Sequence, residues 1–467
     1  MSQAGLNSAA NPFQPPSGEA PTSVRNTVMV YLGVLAFLTY FDRICIARAQ
    51  SVIKADLGIS NTEMGLIMGA FWLAYALFEL PAGWMGDKYG ARVTLTRIVL
   101  AWSLFTALSG AATGFWSLLT YRFLFGVGEA GAFPNMARIQ SQWLPISSRP
   151  RMGGLLWMLA RWGGAFSIPI FGIMMRGFGS EGFKNFVTSI PGLAFLSEQA
   201  AWRLGFWAAG MLGVVWCIAF YSWFRDHPSE KASVNAAELE LITRGAPPEN
   251  KGHGMPSHLW GRLLTCKSLL AMGVLYMCGS FGWSFFASWM PRYFEEVQHM
   301  EYKESEWMAF LPLFCGGISC IVGGILCNSL VAKHGKQRWV RAVFPVSGYI
   351  VAAVSMCLIP FVKSPTQAII LMCIAESAHD FGQGANWSTI VDVGGSYAGV
   401  AAGLINTIGN MGNAFQPAIG AEIIKNYGWN TVFVVYSLAF LVAATMWSMI
   451  DPRHTFYEGH EKGAQHG

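Results

Sequence analysis

Charge is what this sequence has least of. Lys plus Arg number 31 and Asp plus Glu 26 in 467 residues, so charged residues make up 12%, about half the ~25% of an ordinary soluble protein. A string of water-soluble catalytic domains, a disordered scaffold and a nucleic-acid binder are all poorly served by that deficit. A phosphate-binding GxxxxGK[ST] loop is missing, which argues against ATP-driven work, and no His, Cys, Asp or Glu grouping has metal-ligand spacing. The nine cysteines suggest no disulfide framework. Cys45, Cys217, Cys278, Cys315, Cys320, Cys327, Cys357 and Cys373 lie in apolar runs and Cys266 borders one, so they read as small buried side chains. The first 26 residues carry Ser, Ala, Asn and Pro but no apolar core, which reads as a disordered tail and not as a cleaved signal peptide.

What the sequence does have is apolar length: 53% of residues are hydrophobic and 14% aromatic, with mean hydropathy +0.39. A membrane-crossing helix needs about 20 mostly apolar residues. Candidate spans fall near 27–48, 64–84, 94–113, 115–137, 151–175 and 203–225, and then near 268–291, 307–332, 339–362, 366–391, 397–424 and 428–450. The expected organisation is a tail (1–26), a six-helix bundle (27–225), a polar connector (226–267), a second six-helix bundle (268–450) and a closing tail (451–467). The fold class is an all-α membrane protein of 12 transmembrane helices in two pseudo-symmetric halves. With the amino terminus inside, 19 Lys and Arg fall on one side and 9 on the other, with Arg43, Arg122 and Arg161 left inside spans. That bias puts both termini in the cytoplasm, in a multi-pass cell-membrane (inner-membrane) protein. Paired halves suit a transporter that rocks around a midplane site.

Between spans two and three the chain reads Gly83-Trp84-Met85-Gly86-Asp87-Lys88-Tyr89-Gly90-Ala91-Arg92. Its glycines permit a tight turn and close helix approach, and Asp87 and Arg92 can pair or cap helix ends. A degraded copy, from Gly324 through Asn328 to Gly335, stands at the same place in the second half. These residues read as a gating loop motif. With them, residues 27–450 resemble the major facilitator superfamily, and more closely its anion:cation symporter branch, which includes bacterial hexuronate, galactonate and glucarate transporters and the sialin and vesicular glutamate group. The resemblance rests on Tyr40-Phe41-Asp42-Arg43, on Phe71 through Tyr75 to Pro81-Ala82-Gly83, on Arg122 through Gly126 and Glu129 to Pro134, on Trp289-Met290-Pro291-Arg292-Tyr293, and on Asn406 through Gly409 and Asn410 to Gly412. It implies the major facilitator fold and secondary transport, with no enzymatic activity.

An ionised side chain at mid-bilayer costs roughly 2.5–3.5 kcal/mol on insertion scales, so such residues tend to be functional. Asp42, Arg43, Glu79, Arg122, Glu129, Arg161, Glu376, His379 and Asp380 all fall inside apolar spans. The plain alternative is that they form buried ion pairs which only fix helix packing. At about 1.5 Å of rise per residue, Asp42, Arg43 and Arg122 share a depth in the outer half, where Asp42 and Arg122 can pair. Glu129 lies about 10 Å deeper. A carboxylate in an apolar cavity is pushed toward protonation and a nearby arginine pulls it back, which makes Asp42 and Glu129 the expected proton carriers, as the resemblance also implies.

Arginine's planar fork suits a substrate carboxylate. Arg43 is the first expected substrate contact, with Arg122 linking substrate, Asp42 or both, and with Tyr75 offering its hydroxyl. Arg161 is either an extra anion contact or the partner of Glu79, itself a departure from the glutamine more common in relatives. On span ten, Glu376, His379, Asp380 and Gln383 share one face, followed by Asn386 and Trp387. They form an extended polar substrate site, a second proton relay or a self-paired stripe. Asn406 on span eleven is the expected amide contact, while Asn410 and Asn413 serve packing. Gly279 and Met68 stand where vesicular glutamate relatives carry Arg and His, which favours a sugar-acid style of substrate.

The expected function is proton-coupled symport of a small organic anion such as a hexonate or hexuronate. An uncoupled facilitator or exporter is the alternative, and a receptor on a transporter scaffold a more distant one. The expected partners are a small carboxylate, protons and the lipid bilayer, with no nucleic acid. No cofactor is expected beyond the proton gradient, and the protein is expected to work as a monomer.

Overall fold

The computed structural model describes residues 20–145, 148–243, 257–334, 338–394 and 398–457. The first 19 residues of the expected tail, the connector's middle (244–256), the copied loop's end (335–337) and the final ten residues lie outside them.

The chain is helical throughout the described residues. The first half runs α1 (Val24–Leu57), α2 (Asn61–Tyr89), α3 (Ala91–Gly110), α4 (Phe115–Glu129), α5 (Ala132–Trp143), α6 (Arg149–Phe178), a short α7 (Glu181–Thr188) and α8 (Ala201–Trp223). The connector contributes α9 (Ala236–Thr243) and α10 (Ser257–Thr265). The second half runs α11 (Lys267–Ser288), α12 (Met290–Glu296), α13 (Tyr302–His334), α14 (Arg338–Leu358), α15 (Pro365–Phe381), α16 (Gln383–Gly394), α17 (Ala398–Tyr427) and α18 (Trp429–Met446). These are the twelve spans of a two-half bundle, with spans four and ten each divided in two.

Eight helices among the described residues are long and apolar enough to cross a bilayer on composition alone. The remaining spans are α2, α4–α5, α15–α16 and α17, which carry most of the polar positions of functional interest. The division of span four falls at Ala130-Gly131, where Gly131 takes φ 86 directly after Glu129. Span ten divides at Gly382, two residues after Asp380. Span one is longer than its apolar run predicts. Arg48, counted with the outer Lys and Arg from sequence, and Gln50 are buried within α1, because both find partners on the second half.

Apolar helix faces gain little by associating in lipid, so close backbone approach and polar links must hold the bundle. Val30, Leu104, Ile218, Ile325 and Leu438 remain exposed on its outside. Inside, α2 meets α17 across the two halves where Gly65 lies against Pro417 and Gly69 against Ala414.

The two halves repeat a link at one end of the bundle. Arg92, at the start of α3, donates to the carbonyl of Tyr221 near the end of α8 (Nε–O 3.1 Å). Arg338, at the start of α14, donates to the carbonyl of Trp447 just past α18 (2.8 Å). The first and last described segments lie on this same face with the connector: Arg25 pairs with Glu238 of α9 at 2.8 Å, and the Asp451 amide donates to Ser268 Oγ at 3.2 Å.

In the loop motif, the Arg92 amide is capped by Asp226, just past α8 (2.9 Å). Gly83 and Asp87 fall in α2 at positions whose side chains lie outside the described ones. Gly90 adopts φ 84, and a Cβ there would stand 2.8 Å from Asp226 Oδ2. Gly90→Ala is expected to lower stability by about 1–3 kcal/mol, read as a fall in the Tm of the purified protein. An unchanged Tm would count against the strain.

Candidate functional site

Most of the charges expected inside the spans gather in two groups flanking a wall of aromatic rings. The first group is built by α1, α2 and α4, with α4 ending at Glu129. Arg43 reaches that end: its Nε donates to Glu129 Oε1 at 2.8 Å, with side-chain exposures of 3% and 0%. The arginine thus spans the depth that separates it from Glu129 along the helices, and the pair forms within the first half. The Arg43 guanidinium also lies over Tyr75 (4.5 Å), Tyr40 (4.8 Å) and Trp72 (5.3 Å), an aromatic cage suited to a desolvated cation.

The expected Asp42–Arg122 pair does not form a hydrogen bond. Arg122 Nη2 instead donates to the Arg43 carbonyl at 3.3 Å, and its guanidinium lies over Phe125 at 4.5 Å. Asp42 is 1% exposed. Asp42 Oδ1, Glu129 Oε2, Arg43 Nη2 and two nitrogens of Arg122 have no hydrogen-bond partner. Buried polar atoms rarely remain so unless they have a task. A cavity of about 10 Å³ lies beside them, bordered by Arg43, Met68, Trp72, Arg122 and Ser288, with space for scarcely one water.

The second group joins the two halves. Arg161 of α6 pairs with Asp380 of α15 at 2.7 Å, not with Glu79. His379 Nδ1 lies 3.1 Å from the same Asp380 oxygen, and Gln383 Nε2 lies 3.3 Å from His379 Nε2. Glu376 accepts from Trp283 Nε1 at 2.8 Å. The span-ten stripe is therefore one connected cluster with Arg161 as its cation. Asn386 turns aside to donate to Tyr349 (3.3 Å), and Gly279 leaves room for that tyrosine, whose hydroxyl a Cβ would meet at 3.0 Å. Trp387 is 39% exposed and sits at the seam between halves, its ring centroid 6.3 Å from that of Trp157.

Glu79 has a different partner from the expected Arg161. Both of its oxygens take a hydrogen bond from Asn406 Nδ2, each at 2.6 Å. Asn406 in this conformation is thus a bridge from α17 to α2.

Sequence reasoning missed a third group altogether. At the end of the bundle away from the chain termini, buried Arg48 donates to Glu295 (2.9 Å) and Glu306 (3.0 Å). Glu306 also accepts from Arg176 at 2.5 Å, and Glu295 accepts from Ser51 at 3.0 Å. Gln50 donates to the Ser288 carbonyl at 3.0 Å, and Thr62 bonds Glu422. Every one of these contacts joins the first half to the second. Each charge stands at or beyond the edge of an apolar run, where it resembles an ordinary loop charge; the signal available was only that several of opposite sign stand at that end.

Two helical halves, with buried charge pairs between and within them and polar contacts joining them across one face, have the architecture of a membrane transporter. The chain matches the Major Facilitator Superfamily over residues 32–417 and belongs to that family; it is a multi-pass membrane transporter and not an enzyme. It is 26% identical over 446 residues to a protein named as a probable sulfoacetate transporter of Cupriavidus necator, covering 94% of this chain and 97% of that one. It is 27% identical to a probable galactarate/D-glucarate transporter of Bacillus subtilis, covering 92% of each. A D-galactonate transporter of Escherichia coli is 24% identical, covering 93% of this chain and 97% of that one. Among solved structures, a bacterial homologue of the human lysosomal transporter Spinster shares the fold, with TM-score 0.70, 22% identity and coverage of 91% and 96%.

Proposed function

We propose that the protein is a proton-coupled symporter of small organic acids, with both termini cytoplasmic in the inner membrane. The observation that carries the reading is the buried Arg43–Glu129 pair, with Asp42 beside it. An arginine held by a carboxylate of the protein can exchange that partner for a carboxylate of the substrate. Glu129, deprived of its cation in a site that water scarcely enters, is then far cheaper as the neutral acid than as an unpaired anion. Substrate and proton therefore occupy the site together, and release of the acid to the other side lets Glu129 give up its proton and recapture Arg43. Asp42 serves as the second carrier. Arg122 and Tyr75 complete the site around the bound acid, together with the Asn406 amide once it leaves Glu79. The relatives above are named for sulfoacetate, galactarate or glucarate, and galactonate, all carboxylates, which supports an organic-anion substrate.

The test is uptake of galactarate and galactonate into proteoliposomes with the outside made acid. The acids are expected to accumulate above equilibrium, and a protonophore is expected to abolish the accumulation. Glu129→Gln is expected to keep exchange of internal for external substrate while losing gradient-driven accumulation. Full accumulation by Glu129→Gln would remove the residue from this role, and uptake of neutral sugars alone would end the reading.

A further inference from the structure

We infer that Arg161 and Asp380 form a second anion subsite, so that the preferred substrate is a dianion whose acidic ends engage Arg43 and Arg161 together. The inference rests on the organic-acid reading above and specifies its substrate class.

The two arginines stand on either side of one aromatic wall. The Arg161 guanidinium lies 4.6 Å over the Trp283 ring. Trp283 meets Tyr40 edge-on at 6.3 Å and Trp72 at 6.1 Å, and those two rings are the ones that flank Arg43. An open-chain diacid laid along this wall places one end at each guanidinium.

The chemistry at the two ends matches. Each arginine is held by one carboxylate of the protein, and each of those carboxylates keeps an oxygen without a partner, Glu129 Oε2 and Asp380 Oδ2. Among the described residues, Arg161 makes a single hydrogen bond, from Nη2 to Asp380, and its side chain is 10% exposed. Its remaining donors are free for a second anion, in the fork geometry that suits a carboxylate or sulfonate. Gly316 keeps the space beside Asp380 clear, since a Cβ there would stand 2.9 Å from Oδ2. Beside Asp380, His379 and Gln383 carry polar atoms that hydroxyl groups of the substrate can engage.

The placement also gives the second end a mechanical consequence. Arg43–Glu129 lies within the first half, whereas Arg161–Asp380 ties the first half to the second. A substrate anion that takes Arg161 from Asp380 removes a link between the halves, which a monoacid seated at Arg43 leaves in place.

The experiment compares equilibrium binding of galactarate and D-galactonate to the purified full chain. These probes differ in having two carboxylates or one. Wild-type protein is expected to prefer the diacid by about tenfold or more, the worth of one further charge-assisted contact. In the double variant Arg161→Gln/Asp380→Asn, which removes both members of the pair, the ratio of the two affinities is expected to fall to about one. Arg161→Lys should give an intermediate ratio. Equal affinities in wild type, or an unchanged ratio in the double variant, overturn the inference while the organic-acid reading stands on galactonate binding. Failure of wild type to bind either acid overturns both.

Discussion

Arg43→Gln is expected to reduce uptake of any organic acid at least about a hundredfold. The substitution removes the cation to which the substrate carboxylate would bind and strands Glu129, fully buried, without its 2.8 Å partner. Breaking a buried ion pair from one side costs about 3–5 kcal/mol, so part of the loss can come from a destabilised protein. The double variant Arg43→Gln/Glu129→Gln separates the two effects. It restores a neutral, hydrogen-bonding pair and is expected to recover thermal stability, while uptake stays lost. Arg43→Lys keeps the charge but not the planar fork and should lose about tenfold. Uptake near the wild-type rate in Arg43→Gln would remove this residue from the substrate site.

The second large effect concerns the lock away from the termini. Glu306 receives both Arg48 and Arg176, and Gly172 leaves the space its carboxylate fills. Arg176 is 39% exposed, so its share is screened by solvent and small. The bond from Arg48, with both side chains fully buried, is the one that counts, at about 1.5–3 kcal/mol for a charge-assisted hydrogen bond. Glu306→Gln is therefore expected to shift the balance between conformations by about ten- to a hundredfold toward opening at this face. Spin labels at positions 63 and 425, on opposite halves beside this face, should report a longer distance by pulsed EPR in a cysteine-depleted background. An unchanged distance distribution would show that the charges do not hold the face shut.

The legible part of the molecule was the part written in hydropathy. Six spans, a connector and six spans follow from where water-soluble residues stop and start, and the family likeness rests on short motifs whose glycines and charges recur at fixed places. Which charge meets which was harder to read. Arg43 was expected at the substrate and Glu129 a helix turn or two away, because spacing along an axis measures Cα positions and ignores the reach of an arginine side chain. Arg161 had two candidate partners within its own reasoning and took a third, Asp380, since only packing of α6 against the second half brings them together. Glu79 and Asn406 lie 327 residues apart, and no periodicity connects them. The lock was hidden for a related reason: Arg48 and Glu306 stand at the ends of apolar runs, and a window average assigns such residues to water before their partners are known.

The clamp at the amino end of α1 changes where the two halves divide. Glu238 of α9 accepts hydrogen bonds from the amides of Val24 and Arg25 and from the Thr22 hydroxyl, besides its pair with the Arg25 guanidinium. The first part of the connector is thereby splinted to the half it follows and moves as a piece of it. The first half therefore extends through Thr243, some twenty residues beyond the last turn of α8, and its boundary with the second half lies later in the chain than the start of the polar stretch.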